Sequence, residues 1–367
     1  MKNMGRKTEN IYEFFETVGN LPDLEGEILQ YCYHEGRVTI RQLSNHFKIS
    51  KEKIDSAIEN LIKKGLLYTH RFQNIEFYEL NVVTMKSIYY ERFPAGPVIP
   101  LVYQFNLLSD SMRTDSFKKA IEKVVESGDV VIDLGCGTGI LSIFAAQRGA
   151  YVFAIEVDPF VADAAEYFTK NAGYSSKIKV IQGDCRNLNL PVEADVIICE
   201  MLDTALIAEL QVPVMNNAVK KWLKPSGKVV PLSAKTSAEL INIDSTFYGL
   251  DFRLIHFEEY GAKLTAYTLS EPEIYHSVNF LEENPIEVAR KFVLKTTHAG
   301  ITNGLRIKTK VTAAEGIEIG CSAWFNPPLI LPFENISVKE NDSIEVNLSY
   351  GLGAGFSSVK YDVHLVN

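Results

Sequence analysis

Hydrophobic spacing divides the chain into a helical front, an alternating centre and a β-rich end. In residues 21–81, Leu24, Ile28, Leu29 and the run Tyr31 to Tyr33 put apolar groups on one helix face. Residues 38–47 predict a second short helix with Ile40, Leu43 and Phe47 inward, and Lys48-Ile49-Ser50 a turn. Residues 51–64 carry Ile54, Ile58, Leu61 and Ile62 on one stripe, with Gly65 placed as a C-cap. Residues 66–80 read as two strands joined by a Gln73-Asn74 turn. This is the element order of a winged helix. Its third helix mixes Lys51, Lys53, Lys63 and Lys64 with Glu52, Asp55 and Glu59. A helix that grips DNA needs a net positive face, so a protein-contact or capping role is favoured over DNA binding.

The stretch 85–117 is aromatic and punctuated by Pro94, Pro97 and Pro100, which predicts a segment laid across a domain. Its Tyr89, Tyr90, Tyr103 and Phe105 are candidates to cover a ligand or to join the core. Residues 115–126 predict an amphipathic helix with Phe117, Ile121, Val124 and Val125 inward. Strand and helix patterns then alternate. Apolar strands at 129–134, 151–155, 177–181, 195–199 and 227–231 are separated by helical stretches that include 140–148 and 206–223, and Lys224 to Gly227 reads as a turn into the last strand. That alternation predicts an α/β fold with a parallel, doubly wound, Rossmann-like sheet, whose ligand lies at the carboxyl ends of its strands. Asp133, Glu156, Asp184 and Glu200 all fall at such ends or in the turns after them. Beyond residue 234, short alternating runs between Gly, Asn and Pro turns predict a C-terminal β-barrel or sandwich. The glycine-rich stretch 349–356 has no Lys-Ser or Lys-Thr and no helix after it, so it reads as a β-turn region and not a phosphate loop.

Composition narrows the class. The 367 residues have a net charge of -9, which argues against a general nucleic-acid binder. Five scattered cysteines with no CxxC pair suggest neither a zinc site nor a disulfide framework and fit a reducing, cytoplasmic setting. The first ten residues are polar, and no apolar run approaches membrane-span length.

The chemistry centres on Gly135-Cys136-Gly137-Thr138-Gly139 between strand and helix, where glycines let a ligand approach the main chain. A dinucleotide loop follows GxGxxG, but the final motif position here is Ile140. Asp133 would repel a pyrophosphate and suits an ammonium group, as on the methionine part of S-adenosylmethionine. Glu156 is placed to accept hydrogen bonds from ribose hydroxyls, and Asp184, beside Cys185, one from an adenine amino group.

Three stretches resemble the protein arginine methyltransferases, within the class I methyltransferases. Asp133 to Ala146 (DLGCGTGILSIFAA) resembles that family's first motif, which implies cofactor contact by Gly135, Cys136, Gly137 and Gly139. Leu107 to Thr114 (LLSDSMRT) resembles its helix before the sheet, which implies that Arg113 holds the cofactor carboxylate. Glu200 to Glu209 (EMLDTALIAE) resembles its double-glutamate hairpin at the family spacing. Looser likeness reaches Trp222 to Lys228, Ala323 to Asn326 and Val338 to Ile344, so that it spans roughly residues 101–367. The chain departs from the pattern in three ways. Ala323-Trp324-Phe325 runs directly into Asn326-Pro327-Pro328 without the family's Thr-His-Trp loop. Leu202, Asp203 and Thr204 replace the hairpin's aromatic and glycine residues. A winged-helix-like front is not typical of the family.

The expected organisation is a winged-helix-like module (1–84), a crossing segment with a cofactor-covering helix (85–128), an S-adenosylmethionine-binding Rossmann-like domain (129–233) and a C-terminal β domain (234–367). The expected activity is methyl transfer to a nitrogen of a protein or peptide cation clamped by Glu200 and Glu209. The alternatives are a small-molecule methyltransferase with the front module as a lid, and a DNA-binding regulator with S-adenosylmethionine as effector. The resembled family also implies a dimer, with a dimerisation arm at residues 247–260.

Overall fold

The computed structural model describes residues 22–35, 38–64, 66–72, 75–80, 101–258, 266–322 and 324–366. The chain divides into two compact units, residues 1–94 and 95–367.

In the first unit, α1 (Asp23–Glu35), α2 (Ile40–Phe47) and α3 (Lys51–Lys63) precede an antiparallel ribbon of β1 (Leu67–Phe72) and β2 (Ile75–Leu80). Thr39 and Gln42 form a capping box that starts α2. Val38, expected inside that helix, instead bridges to Tyr78. Ile28, Leu43, Ile54, Ile58 and Leu61, all among the apolar positions read from the sequence, are fully buried. The predicted cap at Gly65 and turn at Gln73-Asn74 lie outside the described residues, as do residues 85–100 of the crossing segment, including Tyr89 and Tyr90.

The second unit opens with α4 (Leu101–Ser109) and α5 (Ser111–Val124). The sequence reading started this helix at Asp115, but the Asp110 side chain accepts the Arg113 N–H and caps it four residues earlier. That cap puts Arg113 in the first turn. Five parallel strands follow: β3 (Val130–Leu134), β4 (Tyr151–Glu156), β5 (Ile178–Gln182), β6 (Ala194–Cys199) and β7 (Leu223–Val230), in spatial order β5-β4-β3-β6-β7. They alternate with α6 (Ile140–Gln147), α7 (Pro159–Asn171) and α8 (Gln211–Trp222). This is the parallel, doubly wound sheet expected of a class I methyltransferase. Chain order reverses at β3, where such sheets open a crevice.

Two details differ from the sequence reading. The stretch 206–223 is helical only from Gln211; before it lies one 3-10 turn, Thr204–Leu206, with positive φ at Ala205 and Leu206. The strand β7 begins at Leu223, not at Gly227. Its pairing jumps from Ala194↔Leu223 to Val196↔Lys228, so the predicted turn bulges out within the strand.

After β7 the structure is antiparallel. One sheet has the path His256–Phe257, Leu329–Val338, Gly300–Ala314, Ser233–Asn242 and Tyr267–Thr268, and a second contains Glu287–Lys295, Ser343–Gly351 and Lys360–Val366. A continuous buried core joins the parallel sheet to these strands, from Ile132 and Ile197 through Trp222 to Leu240, Leu305 and Ile307. Among the described residues, no helix is long and apolar enough to cross a membrane.

Phe117, fully buried on α5, links the helix to both halves. Its ring meets Phe325 edge-on at 6.0 Å, and the Arg113 guanidinium lies 5.9 Å from its centroid. Phe117→Ala is expected to cost about 3–5 kcal/mol. The check is the midpoint of urea unfolding against the parent protein.

Candidate active site

A cavity of about 660 Å³ opens at the carboxyl edge of the parallel sheet, a volume suited to a small-molecule ligand. Its floor is the loop between β3 and α6. Gly135, Gly137 and Gly139 have φ of 68°, 55° and 80°, which side chains rarely tolerate. A Cβ on Gly137 would lie 2.7 Å from Gln104 Oε1, and one on Gly135 2.5 Å from Met201 Cε. Gly135, Cys136 and Gly137 line the cavity; Gly139 does not. At Gly139 a Cβ would meet Thr169 and Ala165 of α7, so that glycine serves helix packing.

The acids behave differently from one another. Glu156, at the tip of β4, lines the cavity and accepts N–H bonds from Gly137 at 3.0 Å and Asp158 at 2.9 Å. Burial pushes its carboxyl above the usual carboxylate range, against those two bonds. Asp184 and Cys185 line the same end. Burial raises the Asp184 carboxyl, but hydrogen bonds from Arg186 (Nη2 at 2.8 Å) lower it further, to a net value below the usual range. Asp133 departs from the sequence reading, which aimed it at a ligand ammonium group. It accepts a hydrogen bond from Ser142 Oγ at 2.6 Å, is 1% exposed and does not line the cavity. Burial there pushes its carboxyl up to about 7.

Arg113 and Glu200, expected to serve different ligands, are paired. Arg113 Nε donates to Glu200 Oε2 at 2.7 Å, and Arg113 Nη2 also contacts that oxygen. Both line the cavity. Burial pushes Glu200 up, and the guanidinium beside it opposes that rise. Glu209 faces the cavity from the loop before α8 and not from the helix. Among the described residues its carboxylate has no hydrogen-bond partner. Burial, then Asp203 and Glu200, push it well above the usual range.

The loop carrying both glutamates is held from outside. Asp203, 8% exposed, accepts the Ala208 N–H at 2.8 Å and the Glu209 N–H at 3.3 Å, which closes the loop. The Ala205 N–H donates to Thr309 Oγ1 at 2.7 Å, and Thr204 Oγ1 donates to Pro327 O at 2.5 Å. Gln211, fully buried, accepts the Met201 N–H and donates to Cys199 O. Phe257, Glu258, Trp324, Phe325 and Phe356 complete this end of the cavity. Phe105, a candidate cover residue, is exposed on α4 and does not line it.

Sequence reasoning missed Asp110, Asp203, Gln211 and Thr309. Asp110 carried a signal, an N-cap residue just ahead of an amphipathic stretch. The others act through contacts that have no periodicity.

A ribosomal protein L11 methyltransferase family model matches residues 114–233, and a FeoC-like transcriptional regulator model matches residues 26–76. An uncharacterised protein of Methanocaldococcus jannaschii is 36% identical over 262 residues, 71% of this chain and 96% of that protein. A probable protein arginine N-methyltransferase 6 of Arabidopsis thaliana is 36% identical over 151 residues, 40% of this chain; the match spans 34% of that enzyme's length. The Trypanosoma brucei PRMT1 enzyme-prozyme complex with AdoHcy has the same fold, with a TM-score of 0.60 at 18% identity over 71% of this chain and 96% of that one. With the glycine loop and the spaced glutamates in one cavity, these likenesses agree: the chain belongs to the protein arginine methyltransferase-like family of S-adenosylmethionine-dependent methyltransferases.

Proposed function

We propose that this protein methylates a nitrogen of a cationic protein or peptide side chain, using S-adenosylmethionine bound over the glycine loop. The observation that carries the reading is a pair of carboxylates, Glu200 and Glu209, facing one cavity that begins at that loop. The cradle over Gly135 and Gly137, which side chains would fill, fits a ligand laid against the main chain. In this reading Gly135, Cys136, Gly137 and Cys185 line the cofactor end. Glu156 still has lone pairs for ribose hydroxyls, and Asp184 for an adenine amino group. Arg113 holds a carboxylate. When bound, the cofactor supplies a sulfonium methyl open to nucleophilic attack.

The protein's own work is to bind and orient the acceptor. Two carboxylates hold a planar cation by charge-assisted hydrogen bonds and fix the direction of its nitrogen lone pair. Most of the acceleration then comes from alignment. Glu209, with no competing side-chain partner among the described residues, is suited to take the proton released as the nitrogen is substituted. The division of the chain at 84, 128 and 233 is part of the same reading. The C-terminal strands act as a β-barrel that braces the acceptor end. The first unit acts as a winged-helix module, in line with the regulator-like match at residues 26–76.

Glu200→Gln is expected to lower transfer by about 100-fold or more while S-adenosylmethionine binding changes little. Arg113→Ala is expected to weaken that binding by about 10–100-fold. Calorimetric titration and transfer of radiolabelled methyl to arginine-, lysine- and histidine-containing peptides test both. Normal cofactor binding in Arg113→Ala would move the cofactor away from the proposed place.

The pH dependence has a definite sign. A carboxyl raised by burial is protonated at pH values where an ordinary one is ionised, and only the ionised form clamps a cation. The acceptor kcat/KM should therefore rise with pH through a range above the usual carboxylate value, and Glu209→Gln should leave only the part of that rise that comes from Glu200. A flat profile in the parent enzyme contradicts it.

The reading includes a homodimer. Phe247, Tyr248, Leu250, Phe252 and Leu254 are exposed on and just after a short hairpin, and clustered exposed apolar residues of this kind mark interaction surfaces. Light scattering should give twice the chain mass, and Leu250→Asp with Leu254→Asp should give the single chain mass.

A further inference from the structure

The glycine-rich stretch read as a β-turn has a contact that the methyl-transfer reading does not use. After the strand Ser343–Gly351 the chain turns against the back of the acidic loop. The Gly353 N–H donates to Leu206 O at 3.0 Å, and the Gly355 N–H to Ile207 O at 2.8 Å. Those acceptors belong to the segment with φ of 62° at Ala205 and 57° at Leu206. Left-handed backbone at residues with a side chain is strained, so this conformation needs outside support. The turn can approach because Gly353 and Gly355, which donate these bonds, lack side chains. A Cβ on Gly353 would meet Leu210 Cδ2 at 3.1 Å and Glu209 O at 3.3 Å, and Gly353 and Gly355 have φ of 75° and 81°. The turn is itself anchored, since Leu352 N–H donates to Ile286 O and Ser358 Oγ to Gly355 O. The next residue, Phe356, lines the cavity and packs edge-on to Phe257 at 5.6 Å.

We propose that the Gly351–Gly355 turn is a positioning element for the acceptor site, with Gly353 its main positioning residue. It holds the acidic loop in the conformation that presents Glu209 beside Glu200, and it sets the wall formed by Phe356. The proposal rests on the reading of Glu209 as an acceptor-binding group. It implies that Gly353 acts on acceptor turnover and not on the cofactor end of the cavity.

The test compares Gly353→Ala with Gly316→Ala. Gly316 has φ of 76° with nothing within 4 Å of an added Cβ and lies outside the cavity lining, so it reproduces the backbone strain elsewhere. Hydrogen exchange of amides 203–209 should quicken about tenfold or more in Gly353→Ala and stay at the parent rate in Gly316→Ala. On an arginine-containing peptide, kcat should fall about 10–100-fold in Gly353→Ala alone, with S-adenosylmethionine affinity unchanged. Parent-like exchange in Gly353→Ala, or equal losses in both variants, overturns the proposal. Glu209→Gln separates the two ideas. Its parent-like rate would sink the acceptor reading and this proposal with it. Its loss of rate beside a parent-like Gly353→Ala would sink the positioning role only.

Discussion

Buried carboxylates must be paired, hydrogen-bonded or protonated, and this site gathers several around few cations. Glu156, Glu200, Asp203 and Glu209 all line one cavity. Among its described lining residues the two guanidinium groups, Arg113 and Arg186, are engaged by Glu200 and Asp184. Glu156 and Asp203 are met by backbone N–H groups, each of which recovers part of the desolvation cost. Glu209 is left facing the cavity with its carboxyl pushed well above the usual range. In the proposed reading, a cation arriving beside it would favour the ionised carboxylate. In the proposed reading the Arg113–Glu200 pair would also tie the cofactor end to the acceptor end, since both residues line the same cavity.

The cost of this arrangement falls on the backbone. Two left-handed residues in the acidic loop cost of order 1–3 kcal/mol each. A hydrogen bond contributes about 1 kcal/mol net. The bonds from Thr204 and Ala205 to Pro327 and Thr309, and from Gly353 and Gly355 to Leu206 and Ile207, are therefore comparable in size to the strain. All four partners come from the C-terminal strands and turns. Those strands are thus a structural condition for the loop's shape, and a single core runs from the parallel sheet into them.

Much of the parallel-sheet half could be read along the chain. The strands β3, β4 and β6 are short apolar runs flanked by turn residues, and burial on both faces of a parallel sheet demands such runs. The glycines of the loop and the acids Glu156 and Glu200 at the strand tips follow from the same local pattern. The N-terminal helices were legible for the related reason that Ile54, Ile58 and Leu61 recur at helical spacing. Less legible were features governed by one side chain, such as the Asp110 cap that starts α5 four residues early.

The sequence by itself determined the order of elements, the parallel sheet, the glycine cradle and the two glutamates at their spacing, because each is written in periodicity or in residue types within a few positions. Only the tertiary structure decided that Glu209 sits on a loop and not a helix, that Asp133 turns to Ser142, that Arg113 pairs with Glu200, and that a distant glycine turn hydrogen-bonds to the acidic loop. The physical reason is range. The hydrogen bonds that shape the acidic loop come from residues 104 and 123 positions away at Thr309 and Pro327, and no local pattern encodes a partner so far along the chain.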